Sequence, residues 1–238
     1  AATAINTLLT MDEDPAWETR QCVTMALGRI SRDPKRGPNT KVLDSLVKRL
    51  AKDESAAVRL EIAQALLILG PPAYDAKIPG DYVRVIKPYL DPVVKRLETE
   101  TDGATRVWLT MTQMTYDGAA FTDANIVKIA DNLSRPEPGA KIAALRALAL
   151  LGEKAKPALP ALLATLKWED PAMLVEAMTA VASLKTLAKD ALPDLDRIKA
   201  GKDEYLKQVA TEAHDWVSGK KAAPAPPAPA PMPMPPKK

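Results

Sequence analysis

The 238-residue chain contains 22 Pro and 10 Gly but one Cys, one His and one Phe, and carries a formal charge of +3. A lone Cys excludes an intrachain disulfide scaffold, a lone His excludes a multi-histidine metal centre, and no apolar run approaches the roughly 18 residues a membrane-spanning helix needs. Aromatic residues make up only 4 % while Ala alone numbers 40, so the 47 % hydrophobic content comes largely from small side chains.

The first residue is Ala1, which initiator excision, removal of an export signal or truncation of a longer protein would each explain. A first apolar-periodic segment covers 3–11, and the turn Glu13-Asp14-Pro15-Ala16 separates it from a helix through Arg20, Val23, Ala26 and Ile30. Cys22 lies on that helix and is expected to be small and partly buried. Residues 29–52 hold eight basic side chains against Asp33 and Asp44, a local charge of +6. Arg29, Arg32, Lys35 and Arg36 are its candidate contacts for an acidic partner or a second copy of the chain, against the plainer reading of a solvated surface.

A helix over 41–52 precedes one starting near Arg59, and the Pro-containing loop 70–82 follows. Tyr74, Ile78 and Tyr82 of this loop either anchor a partner or fold back over the neighbouring groove. Further first helices are expected at 83–98, 122–134, 157–167 and 190–200, each followed by a second helix starting near Arg106, Lys141, Leu174 and Lys207. Residues 98–137 carry −4, opposite in sign to the early stretch. Residues 222–238 contain eight Pro in seventeen positions, which removes amide donors and fixes φ, so an extended arm is expected there. The four Lys at 220, 221, 237 and 238 leave a body of 29 basic and 30 acidic residues, net −1.

The second helices share one pattern. From anchors Arg20, Arg59, Arg106, Lys141, Leu174 and Lys207, apolar or small residues recur three, six and ten positions on. Those intervals trace one face of a 3.6-residue helix. The anchors stand 39, 47, 35, 33 and 33 residues apart, the mark of a repeat array. Small residues at the sixth position let helices approach, and larger ones at the tenth fill the space between layers. The fifth repeat has a second register, aligned on Glu169-Asp170-Pro171-Ala172, but that would put Thr179 in an apolar slot. Gln113 and His214 stand seven positions after their anchors, where other repeats have Leu or Val.

The run Asp53, Val58-Arg59, Ala63, Ala65-Leu66, Leu69-Gly70 resembles a HEAT repeat, of the short kind named after phycobilisome lyases. Asp14, Arg20, Ala26-Leu27-Gly28 and Lys141, Ala147-Leu148, Leu151-Gly152 carry the same resemblance, which covers about residues 3–218. It implies an all-α fold: a right-handed α-solenoid of about six HEAT-like helical hairpins over 1–219, with a Pro-rich arm at 220–238. It also implies a structural ladder of Asp14, Arg20, Asp53, Arg59, Glu100 and Arg106 that ties successive inter-helix turns together.

Functional chemistry is sparse in the sequence. HEAT-like iron enzymes of the deoxyhypusine hydroxylase kind need paired His-Glu motifs, which one His cannot supply. HEAT-like DNA glycosylases need clustered aromatics on a basic face, whereas Trp17, Trp108, Trp168 and Trp216 are dispersed over a near-neutral body. No Gly-rich phosphate loop occurs. His214 is expected to sit half-buried at the edge of the stack. The expected function is therefore a non-catalytic protein–protein interaction scaffold without cofactor or metal, binding a protein partner or a second copy on its concave face or at loop 70–82. An accessory subunit of an enzyme or lyase is one alternative, and a nucleic-acid binder a weaker one. The Ala-Pro arm favours an exported protein slightly, and one free Cys suits either compartment.

Overall fold

The structure, a computed structural model, describes residues 2–33, 37–71 and 80–221. The Pro-rich segment 222–238 lies outside them. The chain is built of paired helices, and the only strands among the described residues are a two-residue antiparallel ladder, β1 (Arg32–Asp33) with β2 (Gly37–Pro38). Side-chain caps set many helix starts by accepting N–H groups that the first turn leaves open. Asn39 caps α3 (Thr40–Lys52), Ser55 caps α4 (Ala56–Leu69) and Asp102 caps α7 (Gly103–Tyr116). Thr122 caps α8 (Asp123–Ala130), Asp170 caps α11 (Pro171–Ser183) and Asp203 caps α13 (Glu204–Val217).

The helices gather into two compact units, divided between Leu150 and Leu151. The first unit begins with the hairpin α1 (Ala2–Leu9) and α2 (Trp17–Ile30). The second hairpin is α3 and α4. In the third, α5 (Gly80–Ile86) leads through a 3₁₀ turn at Lys87–Tyr89 into α6 (Leu90–Thr99), which pairs with α7. α8, extended by a 3₁₀ turn at Asp131–Ser134, precedes α9 (Pro138–Leu151).

Within this unit α2, α4 and α7 pack side by side as one layer, and α1, α3 and α6 form the other. The α2–α4 contact is close because Gly28 faces Ala65: a Cβ on Gly28 would stand 2.8 Å from the Ala65 Cβ. α7 bonds to α4 through Thr112 Oγ1, which donates to the Ala63 carbonyl at 3.2 Å, and through Tyr116 OH, which donates to the Leu66 carbonyl at 2.8 Å. Leu27, Leu43, Leu46, Leu50, Ile62, Leu66, Leu69 and Leu109 are fully buried between the layers.

The second unit holds α10 (Leu159–Thr165), α11, α12 (Leu192–Lys199) and α13. A 3₁₀ segment leads into each first helix, Gly152–Ala158 into α10 and Lys185–Ala191 into α12. Both begin on a left-handed residue, Gly152 at φ 56° and Lys185 at φ 53°, thirty-three positions apart. The αL residue terminates the preceding helix. Ala177, Ala180, Leu184, Ala210, Ala213 and Val217 are all buried, while Thr179 is exposed, so the fifth repeat takes the register given by apolar periodicity.

The described residues thus form six pairs of helices in the phase expected from the sequence, but the first helix expected over 83–98 is divided into α5 and α6 by the 3₁₀ turn at Lys87–Tyr89. The first second-helix departs at its tenth position. Ile30 is 39 % exposed where its counterparts Leu69 and Tyr116 are buried.

Candidate functional site

The inter-helix turns of the first unit are fastened by arginines. Arg20 donates through Nη1 to the carbonyls of Asp14 and Pro15 at 2.8 and 3.1 Å, gripping its own turn. Its Nε and Nη2 hold the two carboxylate oxygens of Asp53, in the next turn, at 2.8 and 2.9 Å. Arg59 repeats the arrangement. Nη1 takes the Asp53 and Glu54 carbonyls at 3.0 and 2.8 Å, and Nε and Nη2 take Glu100 at 2.8 and 3.0 Å. Asp53 and Glu100 occupy the same place, the C-cap of a first helix.

The second rung is the more buried. The Glu100 side chain has no exposure and that of Arg59 is 9 % exposed, whereas Arg20 is 17 % exposed. Burial alone would raise the Glu100 pKa. The Arg59 bond, the Asp102 N–H and Arg96 outweigh it and hold the carboxyl at about 2. Asp53 is likewise held below the ordinary carboxylate range, with Arg20 and the Ser55 N–H overcoming burial. These are fasteners between hairpins, with their guanidinium groups already bonded.

The early basic stretch is divided in the fold. Lys48 and Lys52 both reach Glu13 at 2.9 Å, and together they pull its carboxyl down to about 2. Arg49 is 1 % exposed, with Nη2 donating to the Arg20 carbonyl at 3.2 Å and with Nε and Nη1 unpartnered. Burial pushes its pKa down, opposed by Asp12 and Asp53. Arg29 is exposed on α2. Arg32 lies in β1, and Lys35 and Arg36 fall outside the described residues.

Loop 70–82 is described only at its ends, so Tyr74 and Ile78 also fall outside the described residues. Tyr82 is not a free anchor. It is 8 % exposed, and its OH donates to the carbonyls of Leu69 and Gly70 at 2.7 and 3.2 Å. The ring folds back and closes the α4 C-terminus, where helix carbonyls lack intrahelical donors. Cys22, expected to be partly buried, is exposed, because it stands on the face of α2 turned away from the core; it lines a shallow pocket with Leu8 and Met11. His214 is half-buried, with Nε2 3.5 Å from Asp196.

Two features escaped the sequence reading. On α2 and α4, the positions two, five and nine after each anchor lie opposite the buried stripe. They carry Cys22, Met25 and Arg29 beside Glu61, Gln64 and Ile68. Met25 and Ile68 are 36 % and 43 % exposed, and burial raises the pKa of the half-buried Glu61, with Arg29 opposing. These intervals are complementary to the core pattern and so were legible in principle. The second feature is a groove of about 580 Å³ among α6, α7 and α8, lined by residues including Leu97, Arg106, Gln113 and Asn132. Among the described residues no group of three His, Cys, Asp or Glu is placed to hold a metal ion, and no helix is long and apolar enough to cross a membrane.

No protein-family model matches the chain, and no curated protein sequence does so significantly. Solved structures do match. The crystal structure of an engineered protein aligns over 91 % of this chain and 97 % of its own, at 19 % identity and TM-score 0.56. A designed armadillo repeat protein in complex with the peptide (KR)4 aligns over 90 % and 99 %, at 18 % identity and TM-score 0.56. Another designed armadillo repeat protein aligns over 90 % and 99 %, at 18 % identity and TM-score 0.52. The likeness is one of fold, that of helical-repeat solenoids.

Proposed function

We propose that the protein is a non-catalytic interaction scaffold of HEAT type that binds a peptide or protein segment along the exposed strip of α2 and α4. The observation that carries this reading is the strip itself. Exposed Met25 and Ile68 share adjacent rows with a cation, Arg29, and a half-buried anion, Glu61. Apolar anchors beside charges of both signs are the composition of a recognition surface, and a repeat array presents such rows on rigid helices. A designed armadillo repeat protein of like fold carries a peptide, (KR)4, which agrees with a peptide-binding role for this architecture. The first-unit arginines Arg20 and Arg59 serve the fold, and the strip, with Arg29 as its cation, is the surface proposed for a partner.

The test is site-specific photocrosslinking from position 25 and position 68, with position 127 on α8 as an exposed control. Crosslinks to one protein from both strip positions, lost in Arg29→Glu and Ile68→Asp variants that keep the helical circular dichroism, are the expected result. Equal labelling from position 127, or turnover of a small molecule without any protein crosslink, overturns the reading.

A further inference from the structure

The ladder stops one rung early. Arg106 grips its own turn as its two predecessors do, Nη1 donating to the carbonyls of Leu97 and Glu100 at 3.2 and 2.9 Å. Its Nε and Nη2, the pair that holds Asp53 in Arg20 and Glu100 in Arg59, have no protein partner among the described residues. The reason is in the next turn. Asp53 and Glu100 are C-caps of first helices, and the corresponding C-cap after Asp131–Ser134 is Arg135. Arg135 turns instead to Glu137 at 3.3 Å and toward the Thr101 carbonyl at 3.5 Å. A cation therefore stands where the fold elsewhere supplies an anion.

Two further observations fall at the same place. Arg106 lines the groove of about 580 Å³, within the roughly 300–1,000 Å³ range of small-ligand clefts. Leu97, Gln113, Asp117, Thr122 and Asn132 line it together with Arg106. Gln113 occupies the column that holds Leu27, Leu66, Leu148 and Val181, all without exposure, in other repeats. The third repeat thus gives up an apolar core residue, and a polar one lines the opening.

We propose that this groove is a carboxylate subsite, in which Arg106 Nε and Nη2 take bidentately an acidic side chain borne on a peptide segment. Arg20 and Arg59 show the geometry that such a carboxylate would adopt. Lys128 adds a second positive charge to the lining, while Glu98 and Asp117 disfavour a polyanion, so the ligand is a single carboxylate with apolar neighbours to lie on Val94 and Leu97. The proposal rests on the scaffold reading for its peptide, but the titration that tests it needs no partner protein.

The probe is acetyl-Leu-Glu-Leu-amide, titrated into ¹⁵N-labelled full-length protein while the Arg106 Nε–H resonance is followed, with the Gln peptide and with acetate as comparisons. A saturable shift is expected, with binding weaker by about tenfold or more for the Gln peptide, as loss of a charge-assisted bond requires. Arg106→Gln removes that resonance, so the backbone amides of Gln113 and Asn132, which also line the groove, are followed in that variant, and their saturable shifts should be lost. Arg135→Glu is the sharper variant. It supplies the missing rung, so it should raise the melting temperature and block the peptide together, a result that misfolding cannot imitate. No saturable shift, an undiminished Gln peptide, acetate binding as tightly as the Glu peptide, or an Arg135→Glu variant that still binds would each overturn the subsite. If the subsite fails while crosslinking at 25 and 68 succeeds, the scaffold reading stands alone.

Discussion

Replacing Arg59 by Ala should destabilise the first unit more than replacing Arg20 by Ala. Arg59 makes four hydrogen bonds, two to Glu100 and two to the Asp53 and Glu54 carbonyls. Breaking a buried ion pair from one side costs about 3–5 kcal/mol, because the remaining charge stays buried. Glu100 keeps Arg96 at 2.9 Å and the N–H groups of Thr101 and Asp102 at 3.0 Å, which places Arg59→Ala at the lower end, about 3 kcal/mol. Arg20→Ala acts on a more exposed pair and should cost about 1–2 kcal/mol.

The pH dependence fixes the cause. The Glu100 carboxyl falls from 4.5 to about 2 in the folded chain. A depressed folded pKa contributes stability above the unfolded value, and that stability is lost as pH falls through the folded value. At ~1.4 kcal/mol per pH unit the contribution is about 3 kcal/mol, present at pH 7 and lost between about pH 5 and pH 2. Urea unfolding followed by far-ultraviolet circular dichroism should show wild type and Arg59→Ala about 3 kcal/mol apart at pH 7, the gap narrowing toward pH 2 by the share of the Glu100 depression that Arg59 supplies beside the Asp102 N–H and Arg96. A loss below about 1 kcal/mol at pH 7, or an unchanged gap in acid, would refute the buried-pair argument.

Gly28→Ala should cost about 1–3 kcal/mol, since the added Cβ meets Ala65 backbone at 3.1 Å and forces α2 from α4. Gly139→Ala, with nothing within 4 Å and a position inside α9, should instead gain about 0.5–1 kcal/mol; equal signs for the two in thermal melts would count against helix spacing as the cause. Arg49→Met should be neutral or stabilising by about 1 kcal/mol, because it removes a buried charge with two guanidinium nitrogens unpartnered among the described residues, and a loss above about 2 kcal/mol in urea would contradict this. Cys22, exposed beside Leu8 and Met11, should react completely with a maleimide in the folded protein, and protection from labelling would show that this shallow pocket is covered.

The fold was legible because repeats multiply a weak signal. One apolar face at 3.6-residue spacing is ambiguous, but six in phase fix the helix pairs, and even the disputed fifth register resolves on Ala177, Ala180 and Leu184 against exposed Thr179. Pairing partners were less legible. Asp53 stands six residues before Arg59, yet their side chains do not bond; Arg59 takes the Asp53 carbonyl, and the Asp53 carboxylate goes to Arg20. Tyr82, left open between anchoring a partner and folding back, and Arg49, counted only within the basic stretch, show a related limit. Their burial depends on what covers them, Tyr82 over the end of α4 and Arg49 against the Arg20 carbonyl, and no local periodicity records that.

The same distinction governs charge. Read along the chain, 29–52 is strongly basic and 98–137 acidic, which suggests two surfaces of opposite sign. In the fold, Glu13 takes Lys48 and Lys52, while Glu100 takes both Arg59 and Arg96. A repeat array folds each turn against the next, so charges about one repeat apart neutralise one another, and a charged block in sequence is not a charged patch in space. What matters for recognition is a charge that this pairing leaves over. Arg135, a cation at the anionic position of the third rung, leaves the Arg106 Nε and Nη2 without a carboxylate among the described residues, and does so within the acidic stretch where a composition plot would look for it least.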